Sequence, residues 1–344
     1  MKKIYTYLLA LLAVVSVSCE KTGIDSSTEV ELAPQGGYIR FSTKVSTKAP
    51  LLTNLRGTNF GVLGYKYTYS TNWETARATA APSIFYDQTV RCDSDGVCTY
   101  DINTIDAGDQ LKSWELTSKY AFFAYYPQKN GTNGITISRE EVTNTPTVNY
   151  VLPLSDNPVL PENLCDLMTA YSVDETAGGG TVGLTFQHRL FCIDVLVQNF
   201  NDKDESISNL TLTINNLKYQ SVTLPMKNDP ETTVVYGELP NNQKIKVFRL
   251  IDNDDDPVTV SGNSGQISLS EGDLVDRKIM LIPQNEGIKG TVTFAEKNYD
   301  FSFPNEMKEG RKYNLVINFT GSTIVIATAE AGAWESVEVK HEFE

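Results

Sequence analysis

Residues Ile39 to Gly57 read IRFSTKVSTKAPLLTNLRG. The first half alternates. Ile39, Phe41, Thr43 and Val45 interleave with Arg40, Ser42, Lys44 and Ser46, and a period of about 2 marks a half-buried β-strand. The second half abandons the pattern. Lys48 and Ala49 lead into Pro50, and Arg56 stands between Leu55 and Gly57. Proline biases the residue before it toward an extended backbone, the form in which protease subsites accept a chain. A well-patterned strand therefore runs directly into a basic, protease-accessible loop.

The same alternation recurs downstream. FGVLGYKYTYS, SNLTLTINNLKY, KIKVFRLI, GTVTFAE, NYDFSFP and KYNLVINF are further strand candidates, and YAFFAYYP (Tyr120–Pro127) is a continuous apolar strand closed by proline. Turn signals separate such runs at intervals of about 8–12 residues, the cadence of β-sandwiches. No heptads and no long helical period appear. Tyr and Phe are abundant at 17 and 14, and Val, Ile and Thr recur in short runs, so the chain reads as all-β. A length of 344 residues suits two domains. TAGGG at Thr176–Gly180 is the strongest linker signal. The expected organisation is two successive β-sandwiches, residues 37–180 and 181–344, with the boundary lying as late as about 205.

Residues 1–18 read as an export signal: Lys2 and Lys3 precede an apolar run from Ile4 to Val17, too short to span a bilayer as a stable helix. SVSC then leads into Cys19, a relaxed lipobox with Ser16 in place of the usual Leu. Cys19 is the expected lipidation site; the alternative is ordinary cleavage near Ser18. Residues 19–36, polar and small, read as a tether. Export places Cys92, Cys98, Cys165 and Cys192 where disulfides can form. Cys92 and Cys98 flank the turn in RCDSDGVC, so a hairpin can bring them together; the alternative is two free thiols at a hairpin tip. Cys165 and Cys192 sit in apolar contexts and read as buried small hydrophobes.

The charge balance, 43 acidic against 29 basic residues for a net −14, argues against nucleic acid as a partner. Signs of catalysis are wanting. His188 and His341 have no Cys or His neighbour at a zinc spacing. GGGTVG lacks the Lys-Ser/Thr ending of a phosphate loop, and no Gly-x-Ser-x-Gly elbow occurs. The acidic runs NDKDE (201–205) and DNDDD (252–256) lack an EF-hand's spacing and closing Glu, and read as solvated loops. No enzyme, no metal and no cofactor are expected. A hydrolase would require two carboxylates about 5–10 Å apart in a cleft. Trp73, Trp114 and Trp334 leave a second class open, a surface lipoprotein stacking its aromatics on glycans, although Trp and Tyr also serve as core.

Taken together, these residues resemble the fimbrillin-like lipoproteins of Bacteroidales, the subunits of type V pili. The resemblance is carried by the relaxed lipobox at Cys19, by YIRFSTKVSTKA, by KYAFFAYYP, by DLMTAYS followed by VGLTFQHRLFCIDVLV, and by GRKYNLVINFTG with IVIATAEAGAW. It implies two transthyretin-like sandwiches and a precursor held at the outer membrane, on the cell surface, through a lipid on Cys19. It also implies a first strand (Ile39, Phe41, Thr43, Val45) that fills a groove until an extracellular trypsin-like protease removes it. Lys48 matches the cut position, where the family usually has Arg; Arg56 is the alternative. A C-terminal strand of another subunit then fills the groove, and Val337, Val339 and Phe343 are this chain's candidate donor residues. The implied partners are other pilus subunits, of the same or another kind, and a host or bacterial surface ligand. Whether the subunit belongs to stalk, tip or anchor is left open, as is the possibility that its last strand stays in its own sheet.

Overall fold

The computed structural model describes residues 37–45, 55–100, 111–138, 145–153, 164–207, 210–227, 233–239, 245–250, 258–260, 262, 267–268, 278–320 and 323–333. They belong to a compact unit spanning Pro34–Glu344. The first part of the chain forms β1 (Arg40–Val45), β2 (Asn59–Thr68), the helical turn α1 (Trp73–Ala76), β3 (Phe85–Cys92), β4 (Cys98–Tyr100), β5 (Ser118–Tyr126), β6 (Ile135–Ile137), β7 (Thr147–Val151), β8 (Met168–Glu175) and β9 (Thr181–His188). There follow β10 (Phe191–Asn199), β11 (Glu205–Ile207), β12 (Leu210–Ile214), β13 (Tyr219–Pro225), β14 (Val235–Glu238), β15 (Ile245–Leu250) and β16 (Val258–Val260). The last are β17 (Ile267–Ser268), β18 (Lys278–Leu281), β19 (Lys289–Phe294), β20 (Lys297–Ser302), β21 (Arg311–Thr320) and β22 (Thr323–Ala333). The chain is all-β.

Seven strands close into a barrel in the order β1-β4-β3-β2-β5-β8-β9. Its interior is aromatic and aliphatic: Phe41, Phe60, Val62, Phe85, Tyr120, Phe122, Leu184 and Phe186 are among the residues packed there. β5 explains why YAFFAYYP lacks alternation. Tyr120, Phe122 and Ala124 face the barrel interior, whereas Ala121, Phe123 and Tyr125 belong to the larger core outside it. A strand buried on both faces has no polar face to show. Its neighbour β2 must come close to large rings on both sides. A Cβ added at Gly61 would lie 2.3 Å from the Tyr125 ring, and one at Gly64 would lie 2.6 Å from the Phe85 ring, so glycine is what lets those rings lie flat on the strand.

The rest of the unit is built on β10, whose sequence FCIDVLVQN is buried on nearly every residue. It runs parallel to β21 and antiparallel to β17 and β18, with β22 completing the sheet beside β21. A four-stranded sheet, β15-β12-β19-β20, packs into the same core. Another joins distant parts of the sequence: β6 and β7 pair through β13 to β14. This sheet spans the position near 180 where a divide is expected from sequence, and β9, on the far side of that position, lies in the barrel beside β1. β11 and β16 form a separate pair.

Candidate functional site: the slot of the first strand

β1 occupies a slot between β9 and β4. Along β9 it runs parallel, with Arg40 to Val45 opposite Thr181 to Phe186 in continuous register. Toward β4 it is antiparallel and meets the partner only at Phe41 opposite Cys98. The two sides therefore differ: one is a full ladder, the other a short contact.

The sequence alternation becomes a row of anchors. Ile39, Phe41 and Val45 are each no more than 3% exposed, while Arg40, Ser42 and Lys44 are exposed. Phe41 enters a cage of rings. Its centroid lies 6.4 Å from Phe60, 5.8 Å from Phe85, 6.1 Å from Tyr100 and 5.5 Å from Phe122, with the Phe60 and Phe122 rings edge-on. Edge-to-face geometry places positive ring edges on negative faces and adds to the burial term. The Thr43 hydroxyl faces the Cys92–Cys98 disulfide, 3.8 Å from each sulfur. Those cysteines are register partners on β3 and β4, and both are buried.

Residues around the slot also tie down the chain before β1. The buried Tyr100 hydroxyl donates to the Ile39 carbonyl at 2.6 Å. The Ile39 N–H donates to the Lys112 carbonyl at 2.8 Å, and the Trp114 N–H donates to the Gly37 carbonyl at 3.0 Å. Burial pushes the Tyr100 phenol well above the ordinary tyrosine range, with Arg40 acting weakly in the opposite sense; the phenol therefore remains a donor. Tyr100 and Trp114 were not singled out for this role by sequence. CTY is too short a run to show a period, and the tie to residue 39 crosses 61 positions.

The remaining predicted residues are dispersed. Arg56 lies in an exposed turn ahead of β2. Lys48, Cys19, Val337, Val339, His341, Phe343 and Trp334 fall outside the described residues, as does the 252–256 acidic run. Trp73 and Trp114 are 0% and 4% exposed. Trp73 packs on Tyr65 and Phe123, and Trp114 packs on Tyr120; the surface glycan platform considered for these two from sequence is corrected to core, because a ring buried on both faces has none left for a sugar. His188 is buried, with Nδ1 2.7 Å from the Asp166 carboxylate. Cys165 and Cys192 remain thiols, and burial holds the Cys192 thiol well above its usual range. Asp204 accepts a bond from the Gly262 N–H. Among the described residues, no group of three or more His, Cys, Asp or Glu side chains is placed to hold a metal ion.

Several solved structures share the fold. A fimbrial protein from Bacteroides vulgatus aligns with a TM-score of 0.56 at 17% identity, covering 85% of this chain and 99% of the other. A candidate cell adhesion protein from Bacteroides ovatus aligns with a TM-score of 0.54 at 16% identity, covering 88% and 99%. Another from Bacteroides uniformis reaches 0.51 at 13% identity, covering 87% and 99%. No curated protein sequence matches the chain. The profile of one family, described as fimbrillin-like, matches residues 47–334. That match takes in every described strand except β1, and the chain is a member of the fimbrillin-like family.

Proposed function

We propose that the protein is a structural subunit of a surface pilus with a role in adhesion, exported as a lipoprotein and assembled by donor-strand exchange. In this reading Cys19 carries the lipid, residues 19–36 tether the precursor to the outer membrane, and a trypsin-like protease cuts after Lys48 or Arg56. β1 then leaves, and a strand of another subunit takes its place. Residues Val337, Val339 and Phe343 are the candidate donor that this chain offers to a neighbour.

The observation that carries the reading is the seating of β1. It is a barrel strand with two buried anchors, Phe41 and Val45, and with Ile39 buried just ahead of it, and it lies at the edge of the segment that holds Lys48. Its loss would open a closed sheet, exposing the polar backbone edges of β9 and β4 over an aromatic interior. An unpaired edge over an apolar slot is a template for another strand. Each of three buried large side chains is worth about 1.5–3 kcal/mol, more than a single ladder bond at about 0.5–1.5 kcal/mol, and the two kinds of contribution add along the strand. The joint is therefore strong where the incoming side chains fit.

Low-dose trypsin on the delipidated precursor tests this. The expected result is release of a peptide ending at Lys48 or Arg56, seen by mass spectrometry, followed by SDS-resistant ladders, alone or with companion subunits. A cleanly cut chain that stays monomeric with every candidate companion would defeat the proposal.

A further inference from the structure

The side chains that hold β1 also specify what can replace it. We propose that the slot admits a strand only if it carries an aromatic residue at the place of Phe41 and a side chain no larger than threonine two residues on, and that the C-terminal run of a second copy of this chain is not such a strand. Because in the strand-exchange reading every copy has shed its own β1, the occupant is then a strand of a different protein. The inference rests on the strand-exchange reading and deepens it by naming the partner's chemistry.

The aromatic requirement follows from the cage. Four rings surround Phe41 at centroid distances of 5.5 to 6.4 Å. They are fixed on β2, β3, β4 and β5, so a smaller guest leaves a void they cannot close. The size limit follows from the disulfide. Both sulfurs stand 3.8 Å from the Thr43 hydroxyl, already van der Waals contact. They are joined to each other and buried at the β3–β4 register, so they cannot swing aside as a free side chain would. At the next place Val45 is 3% exposed opposite Phe186, which excludes a charge there.

The run AWESVEVKHEFE (residues 333–344) fails these conditions in either polarity. If Phe343 takes the aromatic place, His341 falls either at the buried Ile39 position or, with the strand reversed, against the disulfide. If Trp334 takes it, the position of Val45 receives Glu338 or, reversed, Glu330. Each arrangement sets an imidazole or a carboxylate where the slot is apolar or already filled. β22 itself, TIVIATAEAGA, contains no aromatic residue.

The test uses the full chain with a sequence-specific protease site engineered between Val45 and Leu55. After cutting, binding of fluorescein-labelled peptides is read by anisotropy. The peptide of residues 37–46 is expected to bind. Its Phe41→Ala form should bind on the order of 100-fold more weakly, and its Thr43→Phe form about 10-fold or more weakly. The peptide of residues 333–344 should bind no better than Phe41→Ala. Because all changes are in the peptides, folding of the barrel is the same in each measurement. If the 37–46 peptide binds and either Thr43→Phe or 333–344 binds equally well, exchange stands and the selection rule is overturned. If the cut chain keeps its own β1 and takes up no peptide, the exchange reading falls and this inference with it.

Discussion

At the scale of single residues, Phe41 carries more of the slot than any other side chain of β1, because it alone touches four aromatic neighbours on four strands. Truncating a caged phenylalanine removes its transfer energy and leaves a cavity, together costing about 3–5 kcal/mol. Phe41→Ala in the full chain should therefore lower the urea midpoint by that equivalent, while Ser42→Ala, on the exposed side of the same strand, should leave it within about 0.5 kcal/mol. Equal effects at the two positions would mean that β1 is not anchored by its inward row. The alternation of Ile39, Phe41, Thr43 and Val45 made this row legible from sequence, since a period of 2 reports burial on one face. The identity of the cage was not legible: Phe60, Phe85, Tyr100 and Phe122 come from strands whose pairing order no local pattern records. Trp73 and Trp114 show the same limit from the other side. An aromatic residue read in isolation carries no sign of whether its faces are covered, and here both are.

At the scale of elements, β4 is the weak wall of the slot. It has three residues, paired to β3 and touching β1 in register at one position. Its position depends on the disulfide, which closes a short loop between Cys92 and Cys98, six positions apart. In the chain-entropy account a loop of that size restrains the unfolded chain by about 2 kcal/mol. Replacing both cysteines with alanine should lower stability by about that amount. It should also speed proteolysis at Lys48 or Arg56, since the β3–β4 hairpin would no longer be held against Thr43. A double variant cut at the wild-type rate would show that β1 is retained by the β9 ladder alone. The hairpin could be anticipated from RCDSDGVC, where turn residues lie between two cysteines. The parallel pairing of β1 with β9 could not. Val182, Leu184 and Phe186 announce a strand, but parallel neighbours need no local turn, and some 140 residues separate them from Ile39.

At the scale of the whole molecule, strand cadence conveyed the all-β class, whereas the way sheets share segments did not show in any local run. TAGGG at Thr176–Gly180 reads as a linker, yet the residues after it enter the barrel directly as β9, and β7 reaches beyond them to pair with β13. Buried tyrosines report on both cores. Tyr100 lies in the barrel core, while Tyr65 and Tyr150 lie in the larger one. Burial is the leading cause that raises all three phenols well above the ordinary tyrosine range. In the unfolded chain the same groups release their protons near pH 10. Above that pH the folded state holds protons the unfolded state has lost, so stability is full below about pH 10 and declines as the pH rises toward the elevated folded values. Alkaline titration should thus show tyrosinate absorbance from these residues rising together with loss of near-ultraviolet circular dichroism. Because the barrel strand β5 buries its outer face, through Ala121, Phe123 and Tyr125, in the same core as Tyr150, a Tyr100→Phe variant and a Tyr150→Phe variant should report the same transition midpoint as each other. Two midpoints, one for each, would show that the region around β1 opens independently of the rest, and exchange of the first strand would then proceed without disturbing the sheets beyond it.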